Sequence, residues 1–495
     1  MRSCLSLAIT VLLAGCAGVG PDFQRPAAQP PVSWQARSGS DPTLAAALTP
    51  TNEAPAGDWW RTFDDAALNQ LEQRALTQNP DLQTAALRYA EARLGRRLAA
   101  SAGGPDLNFE AGVARQRGSE HGAETRLANA FGGANRDALI NVLSAPFNLY
   151  QLGFDASWEL DLWGRVRRSI EAADANSAAS AAALEQTRLA LASELARTYF
   201  ELRQLQRRDA LLARETAIVA DLQALATTQI ERGLSAEDPR LVLAERAAAL
   251  DAQSNSLRAS LASTTNRLSL LTGDAPGTWN TALTPTSPDL DRDAPPPPVL
   301  ALGLPGEVIR NRPDIRATEA RLHAATANVG VAVADLYPRL VLGAGAGLQS
   351  IDLASLSAWG ARDWKIGPSL SLPLFDRGRR RTTIALRKLE QQEAAIAWRQ
   401  QVLQAWHEVD DALNGYAAEQ ARNGALRNQL AQRQDQYALA QIRSASGLTN
   451  AQPALQAELM TREAQRELAE SDAALRVRHI AAIKAIGGAA SNPPR

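Results

Sequence analysis

The chain reads twice. The run NPDLQTAALRYAEARLGRRLAASAGGPDL, from Asn79, has a counterpart in RPDIRATEARLHAATANVGVAVADLYPRL, from Arg312. Pro80-Asp81 matches Pro313-Asp314, and Pro105 matches Pro338, at a spacing of 25 in both copies. ELDLWGRVRR, from Glu159, echoes SLPLFDRGRRR, from Ser371; QIERGLSAEDP, from Gln229, echoes QIRSASGLTNAQP, from Gln441. Gly273 follows Pro239 by 34 residues, as Gly487 follows Pro453. Order and spacing held over several segments mark a tandem duplication, so whatever one half folds into the other must fold into as well.

Each copy has one grammar. A helix of about 30 residues (Asp64 to Ala102; Pro305 to Leu336) ends at a Pro-containing break. Two strands follow, at about 105–117 and 147–162 in the first copy and about 338–350 and 364–375 in the second. A very long helix comes next (about Trp163 to Arg232; about Arg379 to Ser446), then a Gly turn and a second helix. At 1.5 Å per residue each long helix spans roughly 100 Å, which implies coiled-coil or tubular packing. The stripes on these helices are often Ala (Ala175, Ala178, Ala179, Ala182, Ala183), small enough for close approach but burying little apolar area each. Many helices must therefore pack side by side.

The strands alternate with period two. Phe154, Ala156, Trp158, Leu160 and Leu162 share one face, and Asp155, Ser157, Glu159 and Asp161 the other. Leu340, Leu342, Ala344, Ala346 and Leu348 alternate with a Gly-rich face. Such strands suit either a half-buried sandwich or a membrane barrel, apolar outside and polar or tiny inside. Four strands cannot close a barrel alone, so on the second reading several copies pool their strands.

The first residues read as an export signal: Arg2, then the apolar run Leu5 to Leu13, too short to span a bilayer as a helix. Leu13-Ala14-Gly15-Cys16 resembles a bacterial lipobox, which predicts a signal peptide over 1–15 and an acylated Cys16 as first mature residue. No later run is apolar for long enough to make a spanning helix, so a membrane crossing would use strands. Cys4 and Cys16 are the two cysteines, and Cys4 lies inside the signal, which excludes an intramolecular disulfide in the mature chain. With 52 basic and 53 acidic residues and no strongly basic segment, nucleic-acid binding through bulk charge is not expected.

Enzyme chemistry finds no foothold. His121, His323, His407 and His479 are scattered, and no CxxC, HExxH, GxSxG or P-loop occurs. Gly343-Ala344-Gly345-Ala346-Gly347 misses the GxGxxG pattern and suits close backbone packing in a barrel better. No catalytic residue, metal site or cofactor is assigned beyond the lipid on Cys16.

With the duplication, signal and strands in hand, the chain resembles the outer-membrane factor (TolC-like) family, and more narrowly its NodT-like lipoprotein branch serving resistance-nodulation-division (RND) efflux pumps. The resemblance is carried by GCAGVGPDFQRP (Gly15 to Pro26), DWWRTFDDAALNQL (Asp58 to Leu71), GLPGEVIRNRPDIRATEARLHAATANVGVAVADLYPRL (Gly303 to Leu340), ELDLWGRVRR, SLSLPLFDRGRRR and the two Gly-Leu-Ser/Thr turns. It implies a mainly α fold with a β-barrel part, assembled as a homotrimer with a 12-stranded outer-membrane barrel and a periplasmic α-helical tunnel. It further implies an exit duct that conducts passively, with a periplasmic adaptor and an inner-membrane RND pump as partners. The domain map becomes a lipidated extended segment (16–57), a first repeat (58–273), a linker with the equatorial segment (274–302), a second repeat (303–487) and a tail (488–495). By position, Gly233-Leu234-Ser235 and Gly447-Leu448-Thr449 match adaptor-contacting tunnel tips. Gln452 and Gln456 stand where relatives often place Leu and Asp rings of a periplasmic gate. Alternatives are a channel for type I protein secretion, which shares the fold, and a lipid-anchored periplasmic adaptor, which should carry one hairpin and lipoyl-like β segments.

Overall fold

A computed structural model describes residues 18–27, 57–123, 125–126, 130, 133–234, 236–284, 297–300, 306 and 310–488. Elements follow in the order α1 (Ala66–Gln78), α2 (Pro80–Ser101), β1 (Asp106–Gln116), α3 (Arg136–Ser144), β2 (Phe147–Leu160), α4 (Arg165–Glu231), α5 (Asp238–Thr272), α6 (Pro313–Ala334), β3 (Arg339–Ser350), β4 (Arg362–Ser371), α7 (Arg379–Ala445) and α8 (Gln452–Ala485). The duplication is visible in the lengths. α2 and α6 each have 22 residues, α4 and α7 each have 67, and α5 and α8 have 35 and 34.

Several boundaries differ from the sequence expectation, each for a local reason. The first helix is broken at Asn79, because Pro80 cannot donate to Leu76 and fits only the first turn of a new helix. Asn79 is extended there; its side chain accepts from Leu82 N–H at 3.0 Å and donates to the Leu271 carbonyl at 2.9 Å. Its counterpart helix opens at Pro313 for the same reason, and most of 301–309 lies outside the described residues. β2 stops at Leu160, where Leu162 N–H turns back onto the Leu160 carbonyl. β4 runs Arg362–Ser371 rather than to 375: its partner β3 begins at Arg339, after Pro338, so residues past Ser371 have no strand to bond. α3, between β1 and β2, had no counterpart in the sequence reading. The Ala stripe buried on α4 is Ala172, Ala175, Ala179 and Ala182; Ala178 is exposed and Ala183 half-buried.

The described chain divides into two compact units. One contains residues up to Gln24, Ala92–Ser177 and Arg321–Ala394, and holds a single antiparallel sheet in the order β1-β2-β3-β4. Both β2 and β4 lead into long helices through a left-handed glycine, Gly164 at φ +78° and Gly378 at φ +85°. An aspartate caps each start. Asp161 accepts from Val166 N–H (3.0 Å) and Arg167 N–H (2.8 Å), and Asp376 accepts from Gly378 N–H (3.0 Å) and Arg380 N–H (3.3 Å).

The other unit is helical, containing Arg25–Glu91, Ala178–Ala320 and residues from Ala395 onward. Its core joins Trp59, Trp60, Leu68 and Leu71 to Leu195 and Tyr199 of α4, Leu268 of α5 and Ile483 of α8. Asp65 pins this corner: it caps α1 through Ala67 and Leu68 N–H, and accepts from the buried Tyr199 hydroxyl at 2.6 Å. Large aromatics are spent here because the Ala-rich long helices supply little apolar area of their own.

Candidate functional site

The sheet has two unlike faces. Its register aligns Leu107, Phe109 and Val113 of β1 with Ala156, Phe154 and Tyr150 of β2, and continues through Ala344, Ala346 and Ser350 of β3 to Ile366 and Trp364 of β4. This face is apolar, and Leu107, Phe109, Val113, Phe154, Trp364 and Ile366 are all exposed. In water, a patch this large would be an association or membrane surface. β1 and β4 have no outer strand partner among the described residues, so each edge presents unpaired backbone.

The opposite face is concave, polar and lined with glycine. It encloses a pocket of ≈ 590 Å³ formed by Glu110, Gln151, Asp155, Gln349, Asp363, Lys365 and the glycines between them. The glycines make room for charge. A Cβ on Gly345 would lie 2.9 Å from Lys365 Cε, and one on Gly347 would lie 3.2 Å from Asp363 Oδ1. Across Gly345, Lys365 reaches Asp155 at 3.4 Å. The 343–347 glycine run is thus floor beneath polar side chains, with no phosphate-cradling loop in it.

At the helix-bearing end of the sheet, aromatic side chains gather. Trp163 stacks on Tyr337 with ring centroids 4.6 Å apart and donates from Nε1 to the Pro338 carbonyl; Trp158 Nε1 donates to the Gly103 carbonyl. Residues 18–23 lie against this end. Val19 N–H donates to the Trp163 carbonyl at 3.0 Å, and Gly20, at φ +96°, sits on Gly330 where a Cβ would meet Cα at 2.6 Å. Arg168 bridges Asp22 (2.5 Å) and Glu171 (2.8 Å), Glu171 holds the His323 ring at 2.8 Å, and Phe23 stacks on that ring. Hydrogen bonds from Arg168 and His323 hold Glu171 below the usual carboxylate range, against the upward push of its own partial burial. Cys16 lies outside the described residues.

The two tips use one capping geometry. Gly233 (φ +69°) donates to Ile230 and Leu234 to Gln229; Gly447 (φ +74°) donates to Ser444 and Leu448 to Arg443. This paired pattern is the Schellman motif, in which the residue after the glycine normally packs back on the helix. Leu234 and Leu448 do not: they are 74% and 76% exposed. Thr449 is exposed beside them, and Ser235 lies outside the described residues. Gln452 and Gln456 sit one turn apart on the first turns of α8, Gln452 half-buried and Gln456 exposed.

Sequence reasoning missed a buried ionic staple between the two helical hairpins. Glu458 of α8, 4% exposed, accepts from Arg214 of α4 at 2.6 Å with Arg462 at 3.6 Å, and Arg466 of α8 lies 3.4 Å from buried Glu215 of α4. Burial pushes the Glu215 carboxyl up despite nearby Arg466, Arg246 and Arg208. Its residues are charged types common on solvated helix faces, so only the packing distinguishes them.

A two-faced sheet with open edges, in a chain that also carries very long helical hairpins, defines a segment of a membrane barrel wall: a barrel-forming channel protein. The family model for outer membrane efflux proteins matches residues 71–274 and 304–488, so the chain belongs to that family. It is 27% identical to the toluene efflux pump outer membrane protein TtgC of Pseudomonas putida, over 98% of this chain and 96% of that one. It is 31% identical to the cation efflux system protein CusC of Escherichia coli, over 83% of this chain and 81% of the relative. The solved structure of the outer-membrane channel OprN superposes with a TM-score of 0.80 at 31% identity, covering 95% of this chain and 99% of that one. The protein is an outer-membrane efflux channel, located in the outer membrane.

Proposed function

We propose that three copies close the barrel and that the helical hairpins form the periplasmic part of one continuous duct. The observation that carries this is the sheet itself: four strands, an exposed apolar face, a glycine-lined polar face and two unpaired edges. Two copies would give eight strands, whose interior fills with side chains; three give twelve and leave a lumen for the concave polar face. The duct conducts passively, an inner-membrane RND pump supplies the energy, and a periplasmic adaptor meets the tips through Leu234 and Leu448.

In this reading Cys16 carries the lipid. Val19 is tied to Trp163 at the membrane-proximal aromatic layer, and three residues span at most about 11 Å, so an acyl group on Cys16 reaches the bilayer beside the barrel base. Gln452 and Gln456 line the closed tip with amides where relatives often place Leu and Asp rings, which gives a weaker charge filter there. Purified full-length protein should migrate as a heat-resistant trimer and form discrete channels in a planar bilayer. A monomer without conductance would reject the reading. Mass spectrometry should find the mature terminus acylated at Cys16, and an unmodified terminus elsewhere would remove the lipid from it.

A further inference from the structure

The apolar face of the sheet carries charge at one end alone. On the membrane-facing positions of the four strands, the charged side chains are Arg115 of β1 and Arg362 of β4, both arginines. Both lie at the end away from the long helices, where β1 finishes and β4 begins. At the helix-bearing end the same face ends in Leu107, Leu160, Leu340 and Leu370. The carboxylates of these strands (Asp106, Glu110, Asp155, Glu159 and Asp363) all fall on the other face, and Glu110, Asp155 and Asp363 line its pocket.

Neither arginine has a carboxylate partner among the described residues. Arg115 makes one neutral hydrogen bond, Nη1 to Asn148 Oδ1 at 3.4 Å. Arg362 lies over the Trp359 ring at 3.7 Å, and that ring is itself 80% exposed. Stacking uses the face of the guanidinium and leaves its edge donors free. Trp364, two residues on along the same face, is 77% exposed. A guanidinium facing hydrocarbon is costly, so unpaired arginines on a lipid-facing surface belong at the depth of an anionic headgroup.

We propose that Arg115, Arg362 and the Trp359 platform form a docking rim for the phosphates of lipids in the outer leaflet. The rim takes a phosphorylated lipid because it combines both halves of such a ligand: planar forked donors for the phosphate, and beside them exposed apolar side chains (Trp364, Val113) for the acyl chains. A closed barrel repeats the rim once per protomer. The inference rests on the outer-membrane channel reading, which sets the end of the sheet away from the long helices outward.

The test uses the full-length channel in phosphatidylcholine nanodiscs doped with bisphosphorylated lipid A or with its dephosphorylated form, and counts retained glycolipid by native mass spectrometry. The wild type should retain the bisphosphorylated form at least about tenfold better. R115Q/R362Q should lose that preference, while R115K/R362K, which keeps charge but not the fork, should keep part of it. Equal retention of the two lipids by the wild type would overturn the proposal without any variant having to fold. So would an unchanged preference in R115Q/R362Q, or displacement of the lipid by millimolar inorganic phosphate, which would mark a free-anion site. Conductance in phosphatidylcholine alone separates the two levels. Channels without lipid preference sink the rim only, whereas no channels at all sink the reading beneath it.

Discussion

The four glycine turns that end the helical hairpins offer an internally controlled experiment. Gly233 and Gly447 at the tips, and Gly273 and Gly487 at the opposite helix ends, all have positive φ (+69°, +74°, +76°, +90°) and the same paired backbone hydrogen bonds. Any alanine there carries the left-handed penalty, about 1–2 kcal/mol. The surroundings differ. A Cβ on Gly233 or Gly447 meets nothing within 4 Å. On Gly273 it would lie 2.6 Å from the Gln78 carbonyl oxygen, and on Gly487 2.7 Å from Arg312 Cγ and 3.0 Å from its Cα. Overlap with backbone adds about 1–3 kcal/mol, so the inner pair should cost roughly 2–5 kcal/mol and the tips roughly 1–2. Asparagine separates the two causes, since it tolerates left-handed φ but still carries the Cβ. Followed by thermal melting of the purified channel in detergent by far-UV circular dichroism, G233N and G447N should sit within about 1 °C of wild type, while G273N should remain as low as G273A. If G273N recovers to the level of G233N, backbone conformation alone explains these glycines and the packing argument is wrong.

Replacing Leu234 and Leu448 together with Asp should abolish pump complementation while trimers persist, and unchanged drug resistance would refute their contact role. Glu72 is fully buried, and burial holds its carboxyl well above the usual range. A raised folded pKa means its contribution is best at low pH and is lost as pH climbs past the unfolded value, so E72M should raise the melting temperature more at pH 8 than at pH 5. His479 shows the opposite sign. Burial lowers its imidazole to about 4, so the stability it permits is complete above an unfolded value near 6.5 and falls away as pH drops toward 4. H479L should flatten the melting-temperature profile across that window, and an unchanged slope would place the acid sensitivity elsewhere. Single-channel conductance of Q456A tests the gate position: an increase is expected, and no change removes the residue from the constriction.

Periodicity made the strands and the long helices legible, because both are set by local pattern. The sheet register then put Phe154, Ala156, Trp158 and Leu160 on one face with Leu340 through Leu348, as their alternation required. Boundaries were less legible where a tertiary partner decides them. Nothing in LSLPLF says that β4 ends at Ser371; that follows from β3 starting after Pro338. The Asn79 break is written in Asn-Pro, yet the homologous helix runs invited a continuous reading across it. Tip glycines could be read from the repeat, whereas the staple of Glu458 and Arg214 could not, since an Arg 244 residues away along the chain leaves no local trace.

The same duplication shows how one contact survives a change of chemistry. Asn79 and Arg312 occupy equivalent positions ahead of the Pro-Asp pair, and Leu271 and Ala485 each lie two residues before a capping glycine. In the first copy the Asn79 amide donates to the Leu271 carbonyl at 2.9 Å. In the second, the Arg312 guanidinium donates to the Ala485 carbonyl. A helix end leaves its last carbonyls without intrahelical donors, and at a buried end some side chain must supply one. Two such ends arise from one ancestral segment, so both need a donor at the same place, but neither dictates which. The arginine brings a charge that asparagine does not, and 5% exposed it must be neutralised: Asp314 and Glu408 each approach it at 2.6 Å. Asp81, the counterpart of Asp314, is exposed and faces no buried arginine among the described residues. The copies therefore preserve backbone geometry and donor placement, while their ionic partners have diverged around whichever donor each half retained.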